Sequence, residues 1–131
     1  MPEHTAARDG SPPREVRRGD VFWVAPQAGR GVEPGVAHPH VVLQEDVSNR
    51  ARIDTIVVCA LTSNLKRAQE PGNVLLDAGE GNLPLRSVLI VSQVSSVARS
   101  ELGAYIGTLS SQRVEQALDG LRFQQASFFN R

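Results

Sequence analysis

Short runs of β-branched and other apolar residues recur along the chain, and glycine, proline and polar residues separate them. Runs of this kind predict β-strands. The predicted strands lie at residues 16–25, 37–44, 53–61, 73–76 and 87–97. The second and third are rich enough in Val, Ile and Leu to be buried on both faces. A polar segment at 63–70 predicts a short helix before the Pro71-Gly72 turn.

The one extended helical pattern is at the C-terminal end of the chain. Val114, Leu118 and Leu121 recur at a spacing of three to four residues, and Ser110 or Ser111 can cap the helix. Gly120 interrupts this helix at some cost in stability. Strands followed by one terminal helix predict a mainly β fold of the α+β class, a small curled sheet or barrel crossed by a helix.

A chain of 131 residues has room for one domain. Residues 1–14 hold almost nothing to bury and are expected to form a disordered leader, so the domain is expected at 15–131. Residues 26–35 contain three glycines and two prolines. A loop of this length in a small domain is usually functional, which makes 27–35 a candidate lid over a binding site.

The formal net charge is zero, so any binding of nucleic acid must rest on local charge rather than on the field of the whole chain. Cys59 is the single cysteine, which excludes an internal disulfide and a thiolate metal site. Its apolar neighbours predict a core residue rather than a nucleophile. No signal segment or membrane-spanning run is present, so a cytoplasmic protein with no membrane association is expected.

Two short clusters carry the candidate chemistry, and no nucleotide-loop or metal-ligand spacing accompanies them, so no cofactor or metal is expected. His38 and His40 lie two apart on a strand and therefore share a face. The pair could bind a metal or act as acid and base, or His40 could simply pack in the core. Thr62, Ser63 and Asn64 follow the third strand, where they suit either contacts to RNA phosphates and bases or an ordinary turn.

Seven motifs, from about residue 16 to residue 122, resemble those of the MazF/PemK toxin family in order and in spacing. They are Arg18-Gly19-Asp20-Val21, Arg30-Gly31-Val32-Glu33, the segment 38–44, Cys59-Ala60-Leu61-Thr62-Ser63-Asn64, Asn73-Val74-Leu75-Leu76, the segment 87–93 and Gly107-Thr108-Leu109-Ser110.

The resemblance implies an SH3-like or CcdB-like barrel, a homodimer and a cognate antitoxin protein as partner. It also implies cleavage of single-stranded RNA without a metal, by attack of the 2′-hydroxyl on the adjacent phosphate. The catalytic residues that it implies are His38, Thr62 and Glu33. The RNA-binding residues that it implies are Arg30, His40, Ser63, Asn64 and Gln93.

The chain departs from the family pattern where the family carries catalytic arginines. His38 occupies one arginine position, and a second falls near Ser95. An imidazole near neutral pH is well suited to proton transfer, but the charge on the phosphate must then be met by Arg30 or by an arginine of a second subunit. The alternative is a binding module that holds RNA or the antitoxin without cutting. Inhibition of a topoisomerase is a third reading, by analogy of fold alone.

Overall fold

The computed structural model describes residues 15–25, 36–51 and 54–129, with side chains as far as residue 126. The leader predicted at 1–14 and the lid predicted at 27–35 lie outside the described residues. The described chain folds around one antiparallel sheet with a long helix at its C-terminal end. No described helix is long and apolar enough to cross a membrane.

Six strands form the sheet in the order β4-β5-β3-β2-β1-β6. They are β1 (Asp20–Val24), β2 (His38–Val42), β3 (Thr55–Thr62), β4 (Val74–Leu76), β5 (Ser87–Ala98) and β6 (Leu102–Thr108). Two α-helices, α1 (Asp46–Arg50) and α2 (Ser111–Phe129), and three 3₁₀ helices (Leu65–Gln69, Glu80–Asn82 and Arg99–Glu101) complete the described elements.

The predicted fold class, mainly β with a C-terminal helix, is confirmed. All five predicted strands are present, and the helix predicted at 63–70 is the 3₁₀ helix Leu65–Gln69. The strands β1, β2 and β4 are shorter than predicted, whereas β3 and β5 each end one residue later. The sheet is curled but open in the described pairing, because β4 and β6 are its two edges. Ser110 begins α2 as predicted, since its Oγ accepts a hydrogen bond from the backbone N–H of Arg113 at 3.2 Å.

Two hydrophobic clusters lie on opposite faces of the sheet. The larger one is covered by α2, which contributes Val114 and Ala117. The smaller one includes Phe22 of β1 and Val42 of β2. The central strand β3 supplies both clusters, as the sequence predicted for a strand buried on both faces. Its members in the larger cluster are Cys59 and Leu61, and those in the smaller are Ile56 and Val58.

A shift in the pairing of β3 with β5 lets β5 serve both clusters. Cys59 pairs with Val94, but Leu61 pairs with Leu89, so two steps along β3 correspond to five along β5. The extra residues bend β5 in the manner of a bulge. As a result Leu89 lies in the larger cluster and Val97 in the smaller.

One strand, one α-helix and the 3₁₀ helices Glu80–Asn82 and Arg99–Glu101 were not predicted. The strand β6 contains two glycines, a composition that reads as turn rather than strand. A Cβ at Gly103 would lie 2.9 Å from the carbonyl oxygen of Trp23, so the close approach of β1 and β6 requires glycine there. The helix α1 has five residues, too few for a periodic pattern. It is held by buried Asn49, whose Nδ2 donates to the backbone oxygen of Gln44 at 3.0 Å.

The backbones of Gly72 and Gly120 touch where α2 crosses the turn before β4. A Cβ at Gly120 would overlap the carbonyl oxygen of Gly72, and a Cβ at Gly72 would lie 2.7 Å from that of Gly120. Gly72 also has a positive φ of 88°. Gly120 is therefore required by packing, although it weakens the helix locally.

Gly120→Ala is expected to destabilise the protein, because the new methyl group meets backbone atoms that cannot rotate away. Ala favours helices by about 1 kcal/mol over Gly, but overpacking at a rigid contact costs about 1–3 kcal/mol. Urea unfolding of both proteins measures the difference, with Glu115→Ala on the exposed side of α2 as the control. A Gly120→Ala protein as stable as the parent would contradict the contact.

Candidate functional site

His38 and His40 point to the face of the sheet that carries the smaller cluster. In the antiparallel register, His40 pairs with Phe22 of β1 and with Ala60 of β3. His38 pairs with Val24. Because side chains alternate along a strand, both histidines share the face of Val42, as the sequence predicted.

The β2–β3 register brings Thr62 to the same place. The paired residue numbers are 40 with 60, 41 with 59 and 42 with 58. Continued by two residues beyond these pairs, the register would set His38 opposite Thr62, at the end of the sheet where β2 begins and β3 stops. His38 is exposed and Thr62 is half-buried, so both lie at the border between core and solvent.

Thr62 has a fixed oxygen and a free hydrogen. Its Oγ1 accepts a hydrogen bond from the backbone N–H of Asn64 at 3.1 Å. A hydroxyl that accepts one bond can still donate its hydrogen to an oxygen of a substrate. The geometry therefore presents Thr62 as a hydrogen-bond donor at the edge of the sheet.

Asn64 has a structural task beside its predicted contact with RNA. Its Oδ1 accepts from the backbone N–H of Lys66 at 3.2 Å and so caps the 3₁₀ helix Leu65–Gln69. Residues 62–64 thus form a turn, as one of the two sequence interpretations predicted. They also expose Ser63 and Asn64 to solvent, as the other interpretation requires. Contact of these two residues with RNA stays a prediction.

His40 is oriented by its own strand. Its Nδ1 lies 2.9 Å from the backbone oxygen of His38. The ring is half-buried. Burial lowers the pKa of His40; the hydrogen bond to His38 opposes this shift and the charge of His38 adds to it.

Gln93 lies in β5 at the register shift, between the residues that pair with Cys59 and Leu61. It is exposed, and β3 lies between its strand and the strand of His40. Ser95, near the position of the second family arginine, is also exposed and pairs with Val58. Arg30 and Glu33 lie outside the described residues.

Two cations at this end of the sheet were not predicted from the sequence. Lys66 is two residues after Asn64, and Arg86 lies just before β5, whose Val88 pairs with Thr62. Both are exposed, and no carboxylate among the described residues forms an ion pair with either. By contrast, Arg67 and Arg113 are paired with Glu70 and Glu80. Lys66 and Arg86 could not be placed near Thr62 from the sequence, because their position follows from the pairing of strand ends, which sequence spacing does not reveal.

No group of three or more His, Cys, Asp or Glu side chains gathers within the described ranges in a way that could hold a metal ion. The two histidines are thus without a third ligand in this part of the chain. A groove between α2 and the turn before β4, lined by Pro71, Asn73 and Phe123, belongs to the helix-covered side of the sheet. It is separate from the site built around His38 and Thr62.

The family model for PemK-like, MazF-like toxins of type II toxin–antitoxin systems matches residues 17–124. The chain belongs to this toxin family. The resemblance drawn from the seven motifs is therefore confirmed. Because the match extends from the segment before β1 into α2, it includes every described element of the site.

Named relatives of the PemK/MazF family are similar along most of their length. Endoribonuclease MazF6 of Mycobacterium tuberculosis (strain ATCC 25618 / H37Rv) is 29% identical over 107 residues, which is 82% of this chain and 94% of the relative. Endoribonuclease EndoA of Bacillus subtilis (strain 168) is 28% identical over 111 residues, or 85% and 95% of the two chains.

Solved structures share the fold of this PemK/MazF chain. A MazE–MazF crystal structure from Deinococcus radiodurans superposes with a TM-score of 0.70 at 20% identity, covering 86% of this chain and 97% of that one. An endoribonuclease in complex with its cognate antitoxin, from a mycobacterial species, gives a TM-score of 0.67 at 21% identity, covering 85% and 95%.

Cys59 is buried in the larger cluster, as predicted, and its thiol is unreactive for a physical reason. Burial raises the pKa of its thiol to about 12, against a smaller lowering by the backbone of Ala60. Its Sγ also donates to the backbone oxygen of Ile90 at 2.9 Å, which favours the protonated thiol.

The folded protein is expected to react with a thiol reagent such as DTNB at pH 8 only as fast as the sheet opens, because the thiolate is the reactive form. Denaturant should release the full reaction of one thiol. The absorbance of the thiolate released from the reagent measures the reaction of the folded protein and the reaction in denaturant. Rapid and complete modification without denaturant would show that Cys59 is accessible and that the burial is wrong.

Proposed function

We propose that this PemK/MazF-family toxin is an endoribonuclease that cleaves single-stranded RNA. Its relatives from M. tuberculosis and B. subtilis carry that activity in their names. The observation that carries the proposal is the β2–β3 register, which, continued by two residues, would set His38 opposite Thr62 at an open end of the sheet. A proton-transfer group and a hydrogen-bond donor then face one phosphate from adjacent strands.

The reaction uses a nucleophile that the substrate brings with it. The RNA 2′-oxygen attacks the adjacent phosphorus, and the bond from phosphorus to the 5′-oxygen breaks. The products are a cyclic phosphate, which can open to a 3′-phosphate, and a 5′-hydroxyl end. His38 transfers a proton during this exchange, and the Thr62 hydroxyl donates to a phosphate oxygen. Glu33 is proposed to orient the site.

Lys66 and Arg86 can supply the positive charge that is lost where His38 occupies the position of a family arginine. Negative charge grows on the phosphate oxygens during the attack, and a nearby cation stabilises it. Both side chains flank the end of β3 and are free of carboxylates among the described residues. We propose that they hold the RNA backbone there, together with Arg30 of the loop.

The same face is proposed to contact the RNA bases and the antitoxin. Ser63, Asn64 and Gln93 are exposed around Thr62 and suit contacts to unstacked bases or to the RNA backbone. The relatives solved with MazE or with a cognate antitoxin support an antitoxin as a protein partner. We propose that it covers this face and that the toxin works as a cytoplasmic homodimer.

Purified protein is expected to cut a long mixed-sequence RNA in the presence of a chelator, leaving 5′-hydroxyl ends. Thr62→Val removes the hydroxyl at nearly constant volume and should lower kcat/KM by about 10²-fold, the usual effect of losing one such donor. Thr62→Ser keeps the hydroxyl and should retain most activity. Mapping of the new ends, with rates from gel quantification, measures both.

His38→Ala is expected to abolish the cuts while leaving the fold intact, because His38 is exposed. Circular dichroism provides the control for folding. RNA that is bound by the parent protein but stays intact would reject the endoribonuclease and favour a binding module. Equal activity of Thr62→Val and Thr62→Ser would remove Thr62 from the reaction.

Lys66→Gln and Arg86→Gln are each expected to weaken binding of single-stranded RNA and to reduce its dependence on salt. Each lost phosphate contact should reduce the slope of log K against log salt by about 0.7. Arg122→Gln is the matched control, because Arg122 is an exposed arginine on α2 that pairs with Asp119. An unchanged slope in the first two variants would show that these cations do not meet the RNA.

A further inference from the structure

The hydrogen bond of His40 fixes which ring nitrogen carries its proton. Nδ1 lies 2.9 Å from the backbone oxygen of His38, and a carbonyl oxygen can only accept. Nδ1 must therefore be the donor, so the neutral ring has its hydrogen on Nδ1 and a lone pair on Nε2. Neutral His40 is held in the tautomer that can take up a proton at Nε2.

His40 lies on the face of the sheet that carries the proposed site. His40 and His38 are two residues apart on one strand, so their Cα atoms are about 7 Å apart. His40 lies in the cross-strand row of Phe22 and Ala60, and His38 lies in the next row with Val24. Two imidazoles in adjacent rows can approach one phosphodiester from its two sides.

The surroundings of His40 favour its neutral form. The side chains that pair with it from β1 and β3, Phe22 and Ala60, carry no charge. Val42, the next residue on its face, is apolar, so His38 is its titratable neighbour among the described residues of these strands. Burial, the larger cause, and the charge of His38 both lower the pKa of His40, against the opposing bond to the His38 carbonyl. A proton on His38 thus disfavours a second proton on His40.

We infer that His40 is the general base of the reaction and that His38 is its general acid. Nε2 of His40 takes the proton of the RNA 2′-hydroxyl as the 2′-oxygen–phosphorus bond forms. The protonated ring of His38 gives its proton to the 5′-oxygen as the phosphorus–oxygen bond breaks. Protons and electrons balance without a further reagent. The inference rests on the proposed ribonuclease activity and assigns the two proton transfers to two separate rings.

The decisive variants are His40→Asn and His40→Gln. The Asn amide nitrogen can replace Nδ1 as donor to the His38 carbonyl, but Asn has no basic atom. His40→Asn thus keeps the positioning bond and removes the base, and a loss of kcat of about 10²–10⁴-fold is expected. His40→Gln places a non-basic amide near the position of Nε2 and should lose activity equally. Thermal unfolding of each variant checks that the fold is kept.

The pH profile separates a base from a merely structural histidine. The active form has neutral His40, so kcat/KM of the parent should fall with unit slope as the pH drops below the lowered pKa of His40. This acid limb should be absent in His40→Asn. Parental activity and an unchanged acid limb in His40→Asn would overturn the assignment while leaving the ribonuclease intact.

A second measurement does not depend on activity. The ¹⁵N chemical shifts of the His40 ring in a two-bond nitrogen–proton spectrum report the tautomer directly. Hydrogen on Nδ1 and a titration midpoint below that of an unperturbed histidine are expected. Hydrogen on Nε2 would overturn the inference, even if RNA is cut. If the tautomer is as expected but the parent leaves RNA intact, the proposed function fails, and the assignment of the two rings fails with it.

Discussion

The register between β2 and β3 is set by side chains buried on both faces of the sheet. Val41 pairs with Cys59 in the larger cluster, and Val42 pairs with Val58 in the smaller. A slip by one residue would move every side chain of β2 to the opposite face, burying a histidine and exposing a valine. Because this costs several buried apolar contacts, the core fixes the position of His38 relative to Thr62.

The site therefore depends on the sheet more than on any local turn. His38 and His40 have the orientation that strand alternation gives them, and Thr62 has the position at which β3 stops pairing. The one local device is the set of hydrogen bonds within 62–66, which orients the threonine oxygen and starts the following 3₁₀ helix. A hydroxyl on a strand end, held by packed strands, is a rigid arrangement of the kind that the proposed catalysis needs.

The parts of the fold that follow from apolar patterning were predictable. Runs of β-branched residues predicted β1, β2, β3 and β5, and the spacing of Val114, Leu118 and Leu121 predicted α2. Ser110 was also identifiable as a cap. β6 was not, because its glycines look like breaks in a strand when only the sequence is read. A glycine is needed in this strand because of a neighbour that is distant in the chain, such as the backbone of Trp23, and sequence patterns do not reveal such neighbours.

The candidate site was predictable residue by residue but not as an arrangement. Strand alternation joined His38 to His40, and the family motifs pointed to Thr62. Nothing in the spacing of 24 residues between His38 and Thr62 reveals that they face each other, since that follows from a pairing register. Lys66 and Arg86 escaped notice for the same reason. The tautomer of His40 depends on one hydrogen bond and is visible only in three dimensions.

Asn64 shows how closely folding and chemistry share the segment after β3. One backbone N–H orients the threonine hydroxyl, and the side chain of the same residue begins the next helix. Because the Oδ1 of Asn64 caps the 3₁₀ helix whether or not RNA is cut, a loss of activity would not release this residue from selection for folding. Retention of the asparagine in a homologue is therefore poor evidence of activity.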